Sequence, residues 1–298
     1  MSKTVKQFGL SALAATLLGL AATPVLASVS ESQQDRDVAR SLSLGGSCNR
    51  CELAGRNMNG ATFAGASFVN ASLVGASLRG AELIGSNFQG ADFSRADLNS
   101  VTIVGANFRE ANFNNASLRN SEAQGADFTR ADLSQSDFNS SEMAGVNMNS
   151  ANLSGASFRN AEIFGATLAN VRAEGADFNS AELDASNLTS GRFRGASFRN
   201  ASLDGARLTG GDFARVDFNG ASMTRTDIRG TDLSDARGLD QDQIDKACGD
   251  ASTRLPNGLT VNTCRSTRVR VSPPAPPRPP AAPAPVPTPR VRHFASSN

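Results

Sequence analysis

From Cys51 to about Arg237 this 298-residue chain repeats a five-residue phrase without a break of phase. The third place of the phrase holds a large apolar residue, as at Leu53, Met58, Phe63, Phe68, Leu73 and Leu78, and so on to Leu233. Two places earlier stands a small residue, as at Ala61, Ala66, Ala71, Ala76 and Ser86. A period of five suits neither common element. Five residues of α-helix swing an apolar side chain away by about 140°, and five residues of strand carry it to the opposite face. All the large residues reach one core only if the chain turns a corner once per phrase. Four corners close a square coil of about 20 residues, and coils stack through β-type hydrogen bonds at about 4.8 Å. The roughly 37 phrases then form about nine coils, an all-β quadrilateral β-helix.

Four sides imply that outward residues correlate at spacings of 20, and they do. Glu82, Glu122, Glu142, Glu162 and Glu182 share one column. On another side Arg79, Arg119, Arg159 and Arg199 recur every 40 residues. Between them come Asp97 with Asn99, Asp137 with Asn139, Asp177 with Asn179, and Asp217 with Asn219. Arginines directly above one another repel, so the interleaved Asp and Asn rows read as self-stabilisation. The glutamate column lacks such relief, and Ile84, Val104 and Phe164 add outward apolar side chains beside it. Glu82, Ile84, Val104, Glu122, Glu142, Glu162, Phe164 and Glu182 therefore form the candidate interaction face. Water and neighbouring arginines are the alternative means of screening it. Within the core, Ala123 and Ala173 replace the usual large residue. They leave small voids or let neighbours such as Met143 and Phe193 lean in.

The phrase A-(D/N/S/E)-(L/F)-x-x resembles the pentapeptide-repeat family over about two-thirds of the chain. The resemblance implies a right-handed coil with both the central Leu/Phe and the small residue two places before it facing inward. Some members of the family imitate DNA and bind DNA gyrase, so a gyrase-binding mimic is the alternative function. The repeat region carries 16 Arg against 21 acidic residues, far too balanced for a duplex mimic.

Outside the repeat, residues 1–27 combine Lys3 and Lys6 with an apolar run from Phe8 to Ala22 and end in Pro24-Val25-Leu26-Ala27. This reads as a signal peptide cut after Ala27 and implies a periplasmic or extracellular protein; an uncleaved anchor is the alternative. The apolar run is shorter than the about 20 residues a bilayer needs, and no later segment is a transmembrane candidate. Residues 28–50 form an N-terminal linker or cap with a short helix expected within 35–42. The repeat occupies 51–238, a C-terminal cap 239–265 and a Pro- and Arg-rich tail 266–298. Export makes disulfides the first reading of the four cysteines. Cys48 and Cys51 lie at one end of the rod and Cys248 and Cys264 at the other, so a bridge joins neighbours only. Cys248–Cys264 is the expected bridge, flanking a short helix from Asp240 to Ala247. Cys48–Cys51 is open between a bridge, a free pair and a metal site. The region 238–264 also resembles the C-terminal cap of some secreted pentapeptide-repeat proteins. From Arg265 onward the chain holds six Arg and no acid; the tail is a solvated extension or a ligand for anionic envelope polymers.

Catalysis is disfavoured because the single His, His293, lies in that tail and the repeat offers no Lys. No cofactor, metal or nucleic acid is expected. The sequence points to a non-catalytic exported scaffold for a protein or an envelope polymer, with partner and oligomeric state open.

Overall fold

The structure, a computed structural model, describes residues 46–264. The expected signal peptide, the short helix within 35–42 and the tail 266–298 lie outside the described residues. Every second-place residue from Ser47 to Asp217 forms a parallel bridge to the residue 20 positions on, beginning with Ser47↔Ser67 and ending with Asp217↔Arg237. We name the sides by these columns. The first contains Glu52, Ser72 and Asp92, the second Asn57, Ser77 and Asp97, the third Thr62, Glu82 and Thr102, and the fourth Ser47, Ser67 and Asn87. Each side gives one bridged residue between two turns, so the coil rests on isolated bridges rather than long strands.

The ladder starts at Ser47, ahead of the expected Cys51. Cys51 N donates to Cys48 O at 3.2 Å and Arg50 has φ 59°, so residues 48–51 already form a corner like those that follow. At nearly every corner the first-place N–H donates to the preceding third-place carbonyl, as Ala61 N does to Met58 O at 3.1 Å; Ser121 N instead donates to Ser141 Oγ at 3.3 Å. A left-handed residue at the fifth place makes this a type II turn. Gly65 takes that position with φ 65°, but so do Asn70, Ser100 and even Ala185, with φ 55°, 58° and 55°.

Coils are joined by three backbone bonds per side. On the third side Leu83 N and Gly85 N donate forward to Thr102 O and Val104 O at 2.7 and 3.0 Å, and Thr102 N donates back to Ala81 O at 2.9 Å. Only the fourth-place N–H has no place in this pattern.

Third-place side chains from Phe63 onward are all but sealed from solvent. Phe68, Phe88, Phe108 and Phe128 stack on the fourth side with ring centroids 4.7, 5.3 and 5.1 Å apart. Across the coil, the second side carries Leu78, Leu98 and Leu118 over those rows. From Phe138 the arrangement exchanges. Phe138, Phe158, Phe178, Phe198 and Phe218 stack on the second side at 5.2, 5.0, 4.8 and 5.5 Å, and Met148, Leu168, Leu188 and Leu208 face them. Along this diagonal nearly every coil thus sets one ring against a Leu or Met, a large residue against a smaller one as close packing favours. Ala123 on the third side and Ala173 on the first are fully buried. Buried first-place hydroxyls bond the carbonyl of the preceding coil, as Ser141 Oγ does to Leu118 O and Ser186 Oγ to Ile163 O, both at 2.7 Å.

At the C-terminal end a helix, α1 (Gln241–Lys246), starts at Asp240, whose side chain and that of Gln243 form a capping box. Ile244 is fully buried, and Gln243 Nε2 donates to Phe218 O and Ala221 O at 3.0 and 2.8 Å. Arg225 N, Ile228 N and Leu233 N donate to Lys246 O, Cys248 O and Arg254 O at 2.7, 2.8 and 2.8 Å. The last rim thus gains hydrogen-bond partners in place of an open edge.

Two substitutions test these constraints. A Cβ on Gly191 falls 2.4 Å from Cε2 of Phe193, so Gly191→Ala overpacks the core and lowers stability by about 1–3 kcal/mol. Ala185→Gly relieves a left-handed backbone and raises it by about 1 kcal/mol. Thermal or denaturant unfolding measures both.

Candidate interaction face

The outer surface is organised by the fourth-place N–H, the group the ladder leaves over. Asp or Asn at the second place accepts its hydrogen bond, as Asp92 Oδ1 does from Ser94 N at 2.9 Å, Asp97 Oδ1 from Asn99 N at 3.1 Å and Asp127 Oδ1 from Thr129 N at 2.9 Å. A short carboxylate or amide bonding backbone two residues on is the Asx turn. On the second side these rungs alternate with Ser-x-Arg rungs, whose fourth-place N–H is served from the coil before. Asn59, Asn99 and Asn139 Oδ1 accept from Arg79 N, Arg119 N and Arg159 N at 2.9, 3.0 and 2.8 Å. The arginine side chains reach the next coil: Arg79 to Asp97 at 3.0 Å, Arg119 to Asp137 at 3.8 Å and Arg199 to Asp217 at 3.2 Å, with Arg159 on Asp177. The 40-residue period is a two-coil hydrogen-bonding unit, and these arginines are occupied within the rod.

The third side is different. Bridges run Glu82↔Thr102, Thr102↔Glu122, Glu122↔Glu142, Glu142↔Glu162 and Glu162↔Glu182, so the five glutamates lie in one column interrupted once by Thr102. All five are exposed. Among the described residues none has an Arg or Lys within ion-pair distance. Gln124 Nε2 donates to Glu142 Oε2 at 2.7 Å, while Gln124 Oε1 is the one buried side-chain polar atom among the described residues without a partner. Beside the column lie Ile84, 44% exposed, and Phe164, 50% exposed, the only exposed large hydrophobic residues described. Val104 is half-buried between them in sequence. Thr and Glu do not make the Asx turn here. The fourth-place N–H groups of Ala64, Ile84, Val104, Gln124, Ala144, Phe164 and Asp184 consequently have no hydrogen-bond partner among the described residues. The fifth-place residues beside the first six are Gly65, Gly85, Gly105, Gly125, Gly145 and Gly165, so no side chain screens that edge there, and Ala185 stands beside Asp184. This face offers carboxylates without cationic partners, unserved backbone donors and apolar area along one line. The sequence signal for the free donors was present, as the lack of Asp or Asn at second places of this column.

Both cysteine pairs are joined, Cys48 to Cys51 with Cα atoms 5.3 Å apart and Cys248 to Cys264 with Cα atoms 4.6 Å apart. Asp227 also lies close to the second pair. Two sulfurs bonded to each other are not thiolate ligands, and Arg229 binds the Asp227 carboxylate in a fork, Nε to Oδ1 at 2.9 Å and Nη2 to Oδ2 at 2.5 Å. That contact, foremost, holds the Asp227 carboxyl below its usual range. This group is structural chemistry rather than a metal site. Among the described residues no helix is long and apolar enough to cross a membrane.

Two family models match the chain. The model described as "Pentapeptide repeat region" matches residues 71–148 and 91–168. The model described as "Pentapeptide repeats (8 copies)" matches residues 47–83, 161–200 and 201–237. Together they span the bridged ladder, and its fold is the right-handed quadrilateral β-helix that the phrase implied. No curated protein matches. Among solved structures, the chain is similar to HetL, a pentapeptide repeat protein involved in heterocyst differentiation regulation in the cyanobacterium Nostoc. Identity is 25% over 78% of this chain and 98% of that one, with a TM-score of 0.48. QnrB1, a plasmid-mediated fluoroquinolone resistance protein, is 25% identical over 69% and 94% of the two chains, with a TM-score of 0.40. A pentapeptide repeat protein of the Arabidopsis thaliana thylakoid lumen is 24% identical over 41% and 74%, with a TM-score of 0.27.

The cap carries a pH dependence. The Asp250 carboxyl is lowered to about 2, first by the Ser252 hydroxyl and then by backbone N–H groups of Gly230 and Ser252. A depressed carboxyl stabilises the fold above its unfolded value near 3.9 and loses that contribution as pH falls toward the folded value. Melting temperature therefore drops between about pH 4 and about pH 2, and Asp250→Asn makes that drop shallower. An unchanged slope in the variant contradicts the assignment.

Proposed function

The chain belongs to the pentapeptide-repeat family, and we propose that it is a non-catalytic, exported scaffold whose third side captures a basic partner, either a protein or an envelope polymer. Family members are generally non-catalytic scaffolds. The observation that carries the reading is the contrast between sides. On the second side every fourth-place N–H has an Asn or Asp oxygen, and the aspartates bear arginines. On the third, the fourth-place N–H groups are left without a partner among the described residues over seven successive rows from Ala64 to Asp184, and five of those rows carry a glutamate with no cationic partner. Stacked like charges about 4.8 Å apart are unfavourable. A cationic partner offsets them and fills the remaining backbone donors with its own acceptors, while Ile84 and Phe164 supply apolar contact.

A duplex mimic needs free carboxylates at phosphate-like density. Here Asp97, Asp137, Asp177 and Asp217 are engaged by Arg79, Arg119, Arg159 and Arg199, which favours the scaffold.

Replacing Glu122, Glu142, Glu162 and Glu182 together with Gln is expected to weaken capture of the partner from a periplasmic extract about tenfold or more, because each charged contact of this kind contributes on the order of 1 kcal/mol. Stability is expected to hold or rise as repulsion is removed. Equal capture by variant and wild type, at equal stability, eliminates this side as the site. For export, cell fractionation with N-terminal sequencing is expected to find a periplasmic or extracellular protein beginning at Ser28; a cytosolic protein beginning at Met1 contradicts it.

A further inference from the structure

Arg172 and Arg192 break the pattern of the first side. From Asp92 to Asn152 its second places alternate carboxylate and amide, with Asn112 Nδ2 on Asp92 Oδ1 at 3.0 Å and Asn152 Nδ2 on Asp132 Oδ1 at 2.9 Å. The next two rungs are arginines, bridged directly to each other. Both are exposed. Like charges facing each other across a bridge are destabilising. Yet among the described residues neither guanidinium has a carboxylate within ion-pair distance or a hydrogen-bond acceptor. The carboxylates nearest in sequence and register are committed elsewhere. Glu174 accepts from Ser154 Oγ at 3.2 Å, one coil toward the N-terminus, and Asp212 is held by Arg194 Nη2 at 3.0 Å.

Loss of the Asx residue has a second effect in the same rows. Ser134 N and Ala214 N on this side donate to Asp132 and Asp212 at 3.0 and 3.1 Å. Glu174 N and Arg194 N, whose second-place neighbours are Arg172 and Arg192, have no partner among the described residues. Two guanidinium groups and two backbone N–H groups, all donors, therefore occupy adjacent coils about 4.8 Å apart, while the Glu174 carboxylate in the same rows is turned to Ser154.

We propose that these two rows form an oxyanion site that takes a phosphate group. Guanidinium forks match the paired oxygens of phosphate, and backbone N–H groups complete anion sites in concert with them. A tetrahedral group with several oxygens accepts from both rows at once, and its charge removes the repulsion between the arginines. The site is on the side opposite the glutamate column, so it is separate from the face assigned to a basic partner. The phosphate is free, carried on a polymer or carried on a lipid headgroup.

The test is titration of the perdeuterated full-length mature protein with inorganic phosphate, followed by amide NMR. The amides of Glu174 and Arg194 are expected to shift together along one saturating curve. The amide of Val74, equally without a partner on the same side but beside Ser72, is the internal control. In the double variant Arg172→Gln/Arg192→Gln the affinity read at those amides is expected to fall about tenfold or more, as charge-assisted bonds to anions are each worth at least that factor. The variant is expected to melt no lower than wild type in phosphate-free buffer, which separates loss of binding from loss of fold. Shifts at Glu174 and Arg194 no larger than at Val74, or unchanged in the double variant, overturn the proposal. Soluble polyphosphate and phosphatidylglycerol vesicles identify the carrier: the one whose binding falls in the double variant bears the recognised group, and if neither falls the site serves free phosphate.

Discussion

Backbone hydrogen bonding between coils, repeated at a register of 20, underlies everything else in this protein. Leu83 N to Thr102 O and Thr102 N to Ala81 O are two examples of one pattern that recurs along all four sides. Because the register never slips between Ser47 and Arg237, every inward residue stacks on its counterpart one coil away, and every outward residue faces its own. Core composition and surface chemistry thus become columns. The phenylalanine stacks exist because the register superimposes Phe68 on Phe88 and Phe158 on Phe178.

The same pattern leaves one donor per phrase unused, and the sides differ in how they serve it. Asp or Asn at the second place turns the donor inward on local structure. A surface built this way is satisfied and inert. Where Glu, Thr or Arg takes that place in the rows described above, the donor is left without a partner among the described residues. The neighbouring side chains are negative on the third side and positive at Arg172 and Arg192, so one backbone feature underlies both of the sites we propose.

Much of this was legible in the residues. The period of five at Leu53, Met58 and Phe63 demanded corners, and the spacing of Glu122, Glu142 and Glu162 demanded that they stack. The interleaving of Arg79 and Arg119 with Asp97 and Asp137 was readable as mutual support, and the ion pairs follow it. The start of the ladder was not: Ser47 lacks an apolar third-place neighbour of the usual kind, since Cys48 stands there, and only the bridge to Ser67 shows that the coil has begun. Nor was the role of the fifth place read, although Gly recurs there, because Asn, Ser, Arg and Ala185 share it and blur the pattern.

The sequence by itself determined the coil, its register, its four columns and the residues that fill its core, because a five-residue period admits one way of burying every third-place side chain. The tertiary structure alone decided which polar groups are spent and which are left. Asn59 serves Arg79 N from 20 residues away, Gln243 reaches back to Phe218 O, and Glu174 turns to Ser154 rather than to Arg192. Such choices depend on side-chain reach between coils, a distance set only after stacking. The glutamate face was therefore visible from the sequence as a line of charge whose second places lack Asp and Asn, whereas the fact that no neighbouring coil serves its N–H groups emerged only once the hydrogen bonds of every row were in place.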